Sequence, residues 1–241
     1  MIYLYDNSLM GFLTCIYYGY KNYKDLENIQ ENNIQMNIFS KYKYIESEEE
    51  KSNIIIDYLS SNFNKDLINS IYNVFLSNSM EKEMTILNTI ILARKYGNRV
   101  LNVPNNNIFR FNRIERNVLF EKHRFEGLLR FSEIQNGFLY APFEPENNIL
   151  PLLIGHFVNR LQNQQFLIHD VKRNYVAIYE KNNLDFFDVE KLNIEYSEDE
   201  IKYQNLWNIF FKSISIKERK NLKQQVSFMP KKYWKYLIEK K

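Results

Sequence analysis

The three histidines of this 241-residue chain, His123, His156 and His169, all fall within residues 123–173, together with Glu144, Arg160 and Asp170. Imidazole is the side chain that changes charge near neutral pH, so it can act as acid, base or ligand. His156 and Arg160 are four residues apart on a helix expected over 149–162, so they share a face. Both lie at the edge of the apolar stripe formed by residues 149, 150, 153, 154, 157 and 161. A guanidinium there keeps its proton and needs a carboxylate, a phosphate or backbone carbonyls. Glu144 and Asp170 are its natural protein partners, and such a pair would equally serve as a structural tie. His169 and Asp170 end an apolar strand over 166–171, where His169 suits acid/base work and Asp170 suits a bond to Arg173. Successive strand residues point to opposite faces, so His169 and Asp170 cannot simply pair with each other. The candidate catalytic set is therefore His169, Asp170, His156, Arg160 and Glu144, with a hydrogen-bonded structural histidine as the alternative at 169. A metal could be held by the histidines with Asp170 or Glu144, but no HExxH spacing supports it and no metal site is expected. No GxGxxG, P-loop or GxSxG motif occurs, and no cofactor is implied.

The second signal is charge placement. Abundant Ile, Asn, Lys, Tyr and Phe match AT-rich codon usage, so lysine number says little, but arginine is chosen against that tide. Seven of the ten arginines fall between Arg94 and Arg130. The planar guanidinium fork is what phosphate recognition favours. The net charge of +3 conceals a division: residues 94–124 hold eight basic and two acidic residues, 212–241 hold ten and two, and 180–200 hold two and eight. Two basic segments and one acidic segment suit a nucleic-acid partner, or a patterned solvated surface. The candidate contacts are Arg110, Arg113, Arg116, Arg130, Arg173, Arg219, Lys231, Lys232 and Trp234. In the tail, cations interleave with Tyr233 and Trp234, which suits stacking on single-stranded or distorted DNA, unless those rings pack on the core.

Elements must position these groups. Ile2–Tyr5 reads as a strand, with Asp6 to Ser8 capping a helix over 9–20; 21–37 reads as irregular, and 38–45 as a second strand of a βαβ-like opening. Ser47 to Glu50 is a capping-box pattern that opens a helix through Phe63, with Ile54, Ile55, Tyr58 and Leu59 on one face. Two further helices carry Leu67, Ile71 and Phe75, then Met84, Leu87 and Ile91. Pro104 suits the first turn of a helix ending near Lys122, with Arg110, Arg113 and Arg116 on its polar side. Leu129 and Phe131 begin a hairpin whose Asn136-Gly137 suits a type I′ turn, returning over 138–143. Asn148 then caps the helix bearing His156, and strands over 166–171 and 175–180 follow. After an acidic loop, Ser197 to Glu200 opens a helix through Phe211. The fold class is α+β: an antiparallel ββαββ core, a flanking helical bundle and the N-terminal βαβ-like segment. Residues 1–84 form an N-terminal region and 85–241 the core domain, in one compact unit. No apolar run approaches the ~20 residues of a membrane span, and the N-terminus lacks a basic signal-peptide region. The single cysteine, Cys15, excludes a disulfide framework and an iron–sulfur ligand set, so the chain is expected to be cytoplasmic.

HRFEGLLRF, LYAPFEPENNILPLL, HFVNR, FLIHDVKR and the later SIKERKN…FMPKKYWKYL resemble a bacterial family described as a probable DNA metabolism protein. The resemblance covers about residues 85–240, and the first 80 residues match more loosely. Its pattern is met here by His123, Gly127, Arg130, Phe131, Tyr140, Glu144, Pro145, Pro151, His156, Arg160, His169, Asp170 and Arg173, and in the tail by Trp207, Arg219, Asn221, Pro230, Tyr233 and Trp234. Phe211 stands where a tyrosine is usual, and Lys232 where an arginine is. The resemblance implies DNA repair or modification beside a radical-SAM protein, and in some members fusion to a uracil-DNA-glycosylase-like domain. It assigns no catalytic residue. The open alternatives are a base- or nucleotide-processing enzyme using His169, and a protein–protein adaptor without DNA binding.

Overall fold

The computed structural model describes residues 1–32, 38–214, 216 and 221–240. The chain mixes helix and strand as expected and forms two compact units, 1–119 and 120–241. The boundary lies inside one long helix, whereas the sequence division at 84/85 followed motif content.

The first unit is built on β1 (Ile2–Tyr5), buried along its whole length. Asp6 and Asn7 follow, Asn7 with φ of 65°, and Ser8 caps α1 (Leu9–Lys21) by accepting the Gly11 N–H at 2.9 Å. The chain returns as β2 (Asn28–Glu31), parallel to β1, and β3 (Tyr42–Tyr44) pairs parallel on the other side. The order β2-β1-β3 thus extends the expected βαβ opening. The strand expected over 38–45 is β3, and the added strand is β2 at 28–31, within the stretch read as irregular; NIQE has too little apolar alternation to announce a strand. Ser47 caps nothing: its hydroxyl donates to Asp6 Oδ2 at 2.7 Å, and α2 (Glu49–Asn62) starts after Glu48 without a side-chain cap. Its buried side holds Ile55 and Leu59, while Ile54 faces outward. α3 (Lys65–Phe75) is capped by Asn64, and α4 (Lys82–Tyr96) completes the helical layer. The core joins Tyr5, Phe12, Ile16, Leu67, Val74 and Leu87, with Phe12 stacked on Phe75 at 5.2 Å.

α5 (Asn106–Leu128) is longer than its sequence suggests, and Pro104 precedes its cap rather than entering its first turn. Asn105 caps it instead, by accepting the Asn107 N–H at 2.8 Å. Gly127 therefore lies in the helix, and the first hairpin strand, β4 (Ser132–Glu133), is short. In the hairpin turn only Gly137 has positive φ, 80°. Its N–H meets Ile134 O at 2.8 Å, and the Ile134 N–H meets Phe138 O at 2.9 Å. This is a turn with a glycine bulge, where type I′ would need Asn136 at positive φ as well.

β5 (Leu139–Phe143) leads into α6 (Leu150–Arg160), with Pro151 in its first turn and Asn148 not capping it. β6 (Phe166–Asp170), β7 (Tyr175–Glu180) and β8 (Asn183–Asp188) follow. The five-stranded sheet runs β4-β5-β6-β7-β8. It corrects the expected antiparallel ββαββ core: β5 and β6 are parallel, because α6 is a crossover that carries the chain back before β6 starts. β8 also takes up the first part of what read as an acidic loop, pairing antiparallel with β7 while every one of its residues stays exposed. α7 (Glu198–Ser213) is capped by Ser197 as expected, but Glu200 does not close the box; its carboxylate accepts the Glu133 N–H at 3.1 Å. α8 (Leu222–Phe228) and two 3-10 turns, Lys231–Tyr236 and Ile238–Lys240, complete the second unit.

Candidate functional site

Alternation along β6 divides the candidate residues. Leu167 and His169 face the side covered by Val189, Leu192, Ile194 and Tyr196. Phe166, Ile168 and Asp170 face the other side, where Phe131 joins Phe157 of α6 to Phe166 through edge-on ring contacts at 5.1 and 5.7 Å. His169 thus lies across the sheet from His156 and Arg160, and the five catalytic candidates do not form one constellation.

His169 is 7% exposed, and its Nδ1 lies 3.0 Å from the Tyr140 hydroxyl. Among the described residues its buried Nε2 has no hydrogen-bond partner. Burial holds the imidazole pKa below its ordinary value, favouring the neutral ring. In one tautomer Nδ1 accepts from Tyr140; in the other it donates to it. Asp170 is fully buried and closes the β6–β7 turn. It accepts from Arg173 Nη1 at 2.8 Å and from the backbone N–H groups of Lys172 and Arg173 at 3.1 and 3.2 Å. Burial raises its pKa despite the Arg173 charge. Arg173 in turn donates to the carbonyls of Pro145 and Glu146 at 3.2 and 2.5 Å, so it staples the turn to the loop before α6. Arg173 is committed within the fold.

Glu144 does not meet Arg160. It binds Lys235 Nζ and, at 2.6 Å, the Tyr236 hydroxyl, and these two donors hold its carboxyl below the usual range. With Asp170 also taken, neither carboxylate proposed for Arg160 pairs with it. The Arg160 guanidinium is exposed and has no hydrogen-bond or ion-pair partner among the described residues; it borders a cleft with Phe131 and Trp207. His156 Nδ1 lies 3.7 Å from Glu126 Oε1, while its buried Nε2 has no partner among the described residues. Glu126 also binds Lys122 at 2.5 Å and His123 at 3.1 Å; burial opposes ionisation, but these donors win and its pKa is lowered. Among the described residues no group of three His, Cys, Asp or Glu is placed to hold a metal ion.

The nucleic-acid candidates separate in the same way. Arg110, Arg113 and Arg116 are exposed on α5, with Glu81 3.3 Å from Arg110 and 3.9 Å from Arg113. Arg130 is engaged: Nη2 meets Glu239 at 2.6 Å and Nη1 donates to Gly127 O at 3.0 Å. Lys231 is exposed, Lys232 pairs with Glu146 at 2.6 Å, and Trp234 is half-buried, donating to Met229 O at 2.9 Å. Tyr233 is buried. Arg219 lies outside the described residues.

One hub lies outside the candidate residues. Buried Glu121 accepts from the Glu146 N–H (2.9 Å), the Asn147 N–H (2.8 Å), Asn147 Nδ2 (2.6 Å) and the Tyr233 hydroxyl (2.7 Å). It joins α5, the loop before α6 and the C-terminal turn. A lone glutamate amid arginines gives no sign of such partners in sequence.

The family model described as Domain of unknown function (DUF4130) matches residues 80–239, and the chain belongs to that family. The match takes in α4 and the whole sheet of the second unit. No curated protein and no solved structure matches the chain.

Proposed function

We propose that this is a cytoplasmic DNA-metabolism protein that binds nucleic acid and assists a radical-SAM DNA repair or modification enzyme. The observation that carries nucleic-acid binding is the run Arg110, Arg113 and Arg116, three exposed guanidiniums spaced along one helix, of which Arg110 and Arg113 share the exposed carboxylate of Glu81. Exposed ion pairs at these separations are worth at most ~1 kcal/mol, so phosphates can displace them. The radical-SAM partner, and a uracil-DNA-glycosylase-like protein as a further partner, rest on the family resemblance alone.

Fluorescence anisotropy of the full chain with single-stranded, duplex and uracil-containing DNA across a salt series tests the reading. Log affinity should fall linearly with log salt, and replacing all three arginines by alanine should remove about 2 to 3 from the duplex slope. Flat anisotropy on every probe at low salt refutes it and leaves the adaptor, to be sought by pull-down of the radical-SAM partner.

A second reading, an enzyme acting on a base or nucleotide, draws on the unpartnered Nε2 of His169. It requires His169→Ala to abolish turnover in a protein that stays folded; an unfolded variant makes the histidine structural.

A further inference from the structure

The most unusual surface of the second unit is α7. None of its residues is buried, although it carries Ile201, Leu206, Trp207, Ile209 and Phe210. Trp207 is 43% exposed and shares a cleft of about 450 Å³ with Phe131, Arg130 and Arg160. That volume falls within the usual range for small-molecule pockets. A second cleft, about 410 Å³, adjoins it through Arg160 and Leu161 and is lined by Asn159, Gln162, Asn163 and Gln164. Among the described residues no carboxylate lines either cleft. Arg130 is neutralised by Glu239, whereas Arg160 keeps its charge without a partner among the described residues.

Three chemistries therefore meet at the C-terminal end of α6. There is an exposed indole beside Phe131, an uncompensated guanidinium, and four carboxamides, Asn159 at the end of α6 and three in the loop after it. Aromatic rings stack on any base, a guanidinium binds phosphate, and carboxamides offer paired donors and acceptors to a base edge. A protein partner would use the apolar part of this surface but leave the charge and the amides idle. We infer that the cleft of Trp207, Phe131 and Arg160 takes one unpaired base of a DNA strand, stacked against the indole, with the adjoining phosphate on Arg160 and the base edge toward the 162–164 amides. The inference rests on the nucleic-acid reading above and assigns it a separate site, since the α5 arginines belong to the first unit.

The test uses the full chain with a fluorescein-labelled oligothymidine, the matching duplex, and an oligonucleotide carrying 2-aminopurine, whose emission is quenched on stacking. Trp207→Ala should weaken single-strand binding roughly 5- to 150-fold, the range expected for one lost base–aromatic stack. It should change duplex affinity less than about twofold by the same argument. Trp207→Phe should recover most of the loss, and 2-aminopurine should be quenched by wild type but not by Trp207→Ala. Arg160→Gln should reduce the single-strand salt slope by about 0.7, one phosphate contact. Trp207 is exposed enough for its removal to leave the fold intact, and Arg160→Gln gives an independent reading if it does not. Equal weakening of single strand and duplex, or no weakening, overturns the cleft while leaving DNA binding standing. Thymidine 5′-monophosphate binding as tightly as the oligonucleotide reassigns the cleft to free nucleotide and overturns the strand reading. No binding of any DNA by wild type overturns this inference and the proposed function together.

Discussion

Glu83 should make the first unit more stable as the medium is acidified. Its carboxyl is 3% exposed, accepts from the Tyr5 hydroxyl at 3.0 Å, and lies 3.9 Å from Lys82 Nζ, which is itself bound to Glu31 at 2.9 Å. Burial drives its pKa from 4.5 up to about 7, with the Lys82 charge pulling the other way. The folded state therefore keeps its proton to higher pH than the unfolded state does. That stabilisation is complete below 4.5 and disappears as pH rises through about 7. At roughly 1.4 kcal/mol per pH unit the whole effect is about 3 kcal/mol, and the interval from pH 5 to pH 8 covers some 2 to 3 kcal/mol of it. Glu83→Gln, isosteric with the protonated acid, removes the titration without removing the acceptor for Tyr5. The assay is urea unfolding followed by far-ultraviolet circular dichroism at both pH values, comparing wild type with the variant so that other titrating groups cancel. Tryptophan emission would not serve, because Trp207 and Trp234 both lie in the second unit. Wild type should lose about 2 to 3 kcal/mol more than the variant between pH 5 and pH 8. Equal losses, or a wild type that gains stability over that interval relative to the variant, would refute the burial argument.

Three other outcomes follow from the same geometry. Glu121→Ala should destabilise the second unit by about 2 to 4 kcal/mol in urea, because four donors lose a buried acceptor at once. For His169, whose folded pKa lies below 6.5, the unfolded state binds the proton first, so stability should fall as pH drops below about 6.5. His169→Gln should flatten that limb, and an imidazole NMR titration should place the midpoint under 6.5. Gly11→Ala should cost about 1 to 3 kcal/mol of thermal stability, since its Cβ would fall 2.2 Å from Asp6 Oδ1 and 2.7 Å from Ser47 Oγ. An unshifted melting temperature would show that the Asp6–Ser8–Ser47 network moves aside freely.

Local signals were legible wherever a residue acts on its own neighbourhood. Ser8 and Ser197 cap the helices that their positions announce, and the stripe through Leu150, Leu153, Ile154 and Phe157 is buried as its spacing requires. The apolar runs of β6 and β7 fall where they read. Capping failed where a distant group competed for the oxygen: Asp6 takes the Ser47 hydroxyl, and Glu133 takes the Glu200 carboxylate. β2 and β8 are not announced by their sequences, since NIQE offers Ile29 as its one apolar side chain and NLDFFD is exposed throughout; partner strands supply the hydrogen bonds that make them strands.

The site shows the same division. Residue types and their spacing set which chemistries exist: three imidazoles, ten guanidiniums and one thiol, and a stretch that gathers the histidines. Which of these groups are spent depends on neighbours that folding brings from far along the chain. A charge in sequence has no known neighbour, and pairing energy depends on separation and dielectric. Arg130 and Arg173 meet Glu239 and Asp170 and become part of the framework, whereas Arg160 meets no carboxylate among the described residues and faces a cleft. The pleat of β6, fixed by its pairing with β5 and β7, then puts His169 on one face and the helix bearing His156 and Arg160 on the other. Spacing along the chain named the groups, and the register of the sheet separated them.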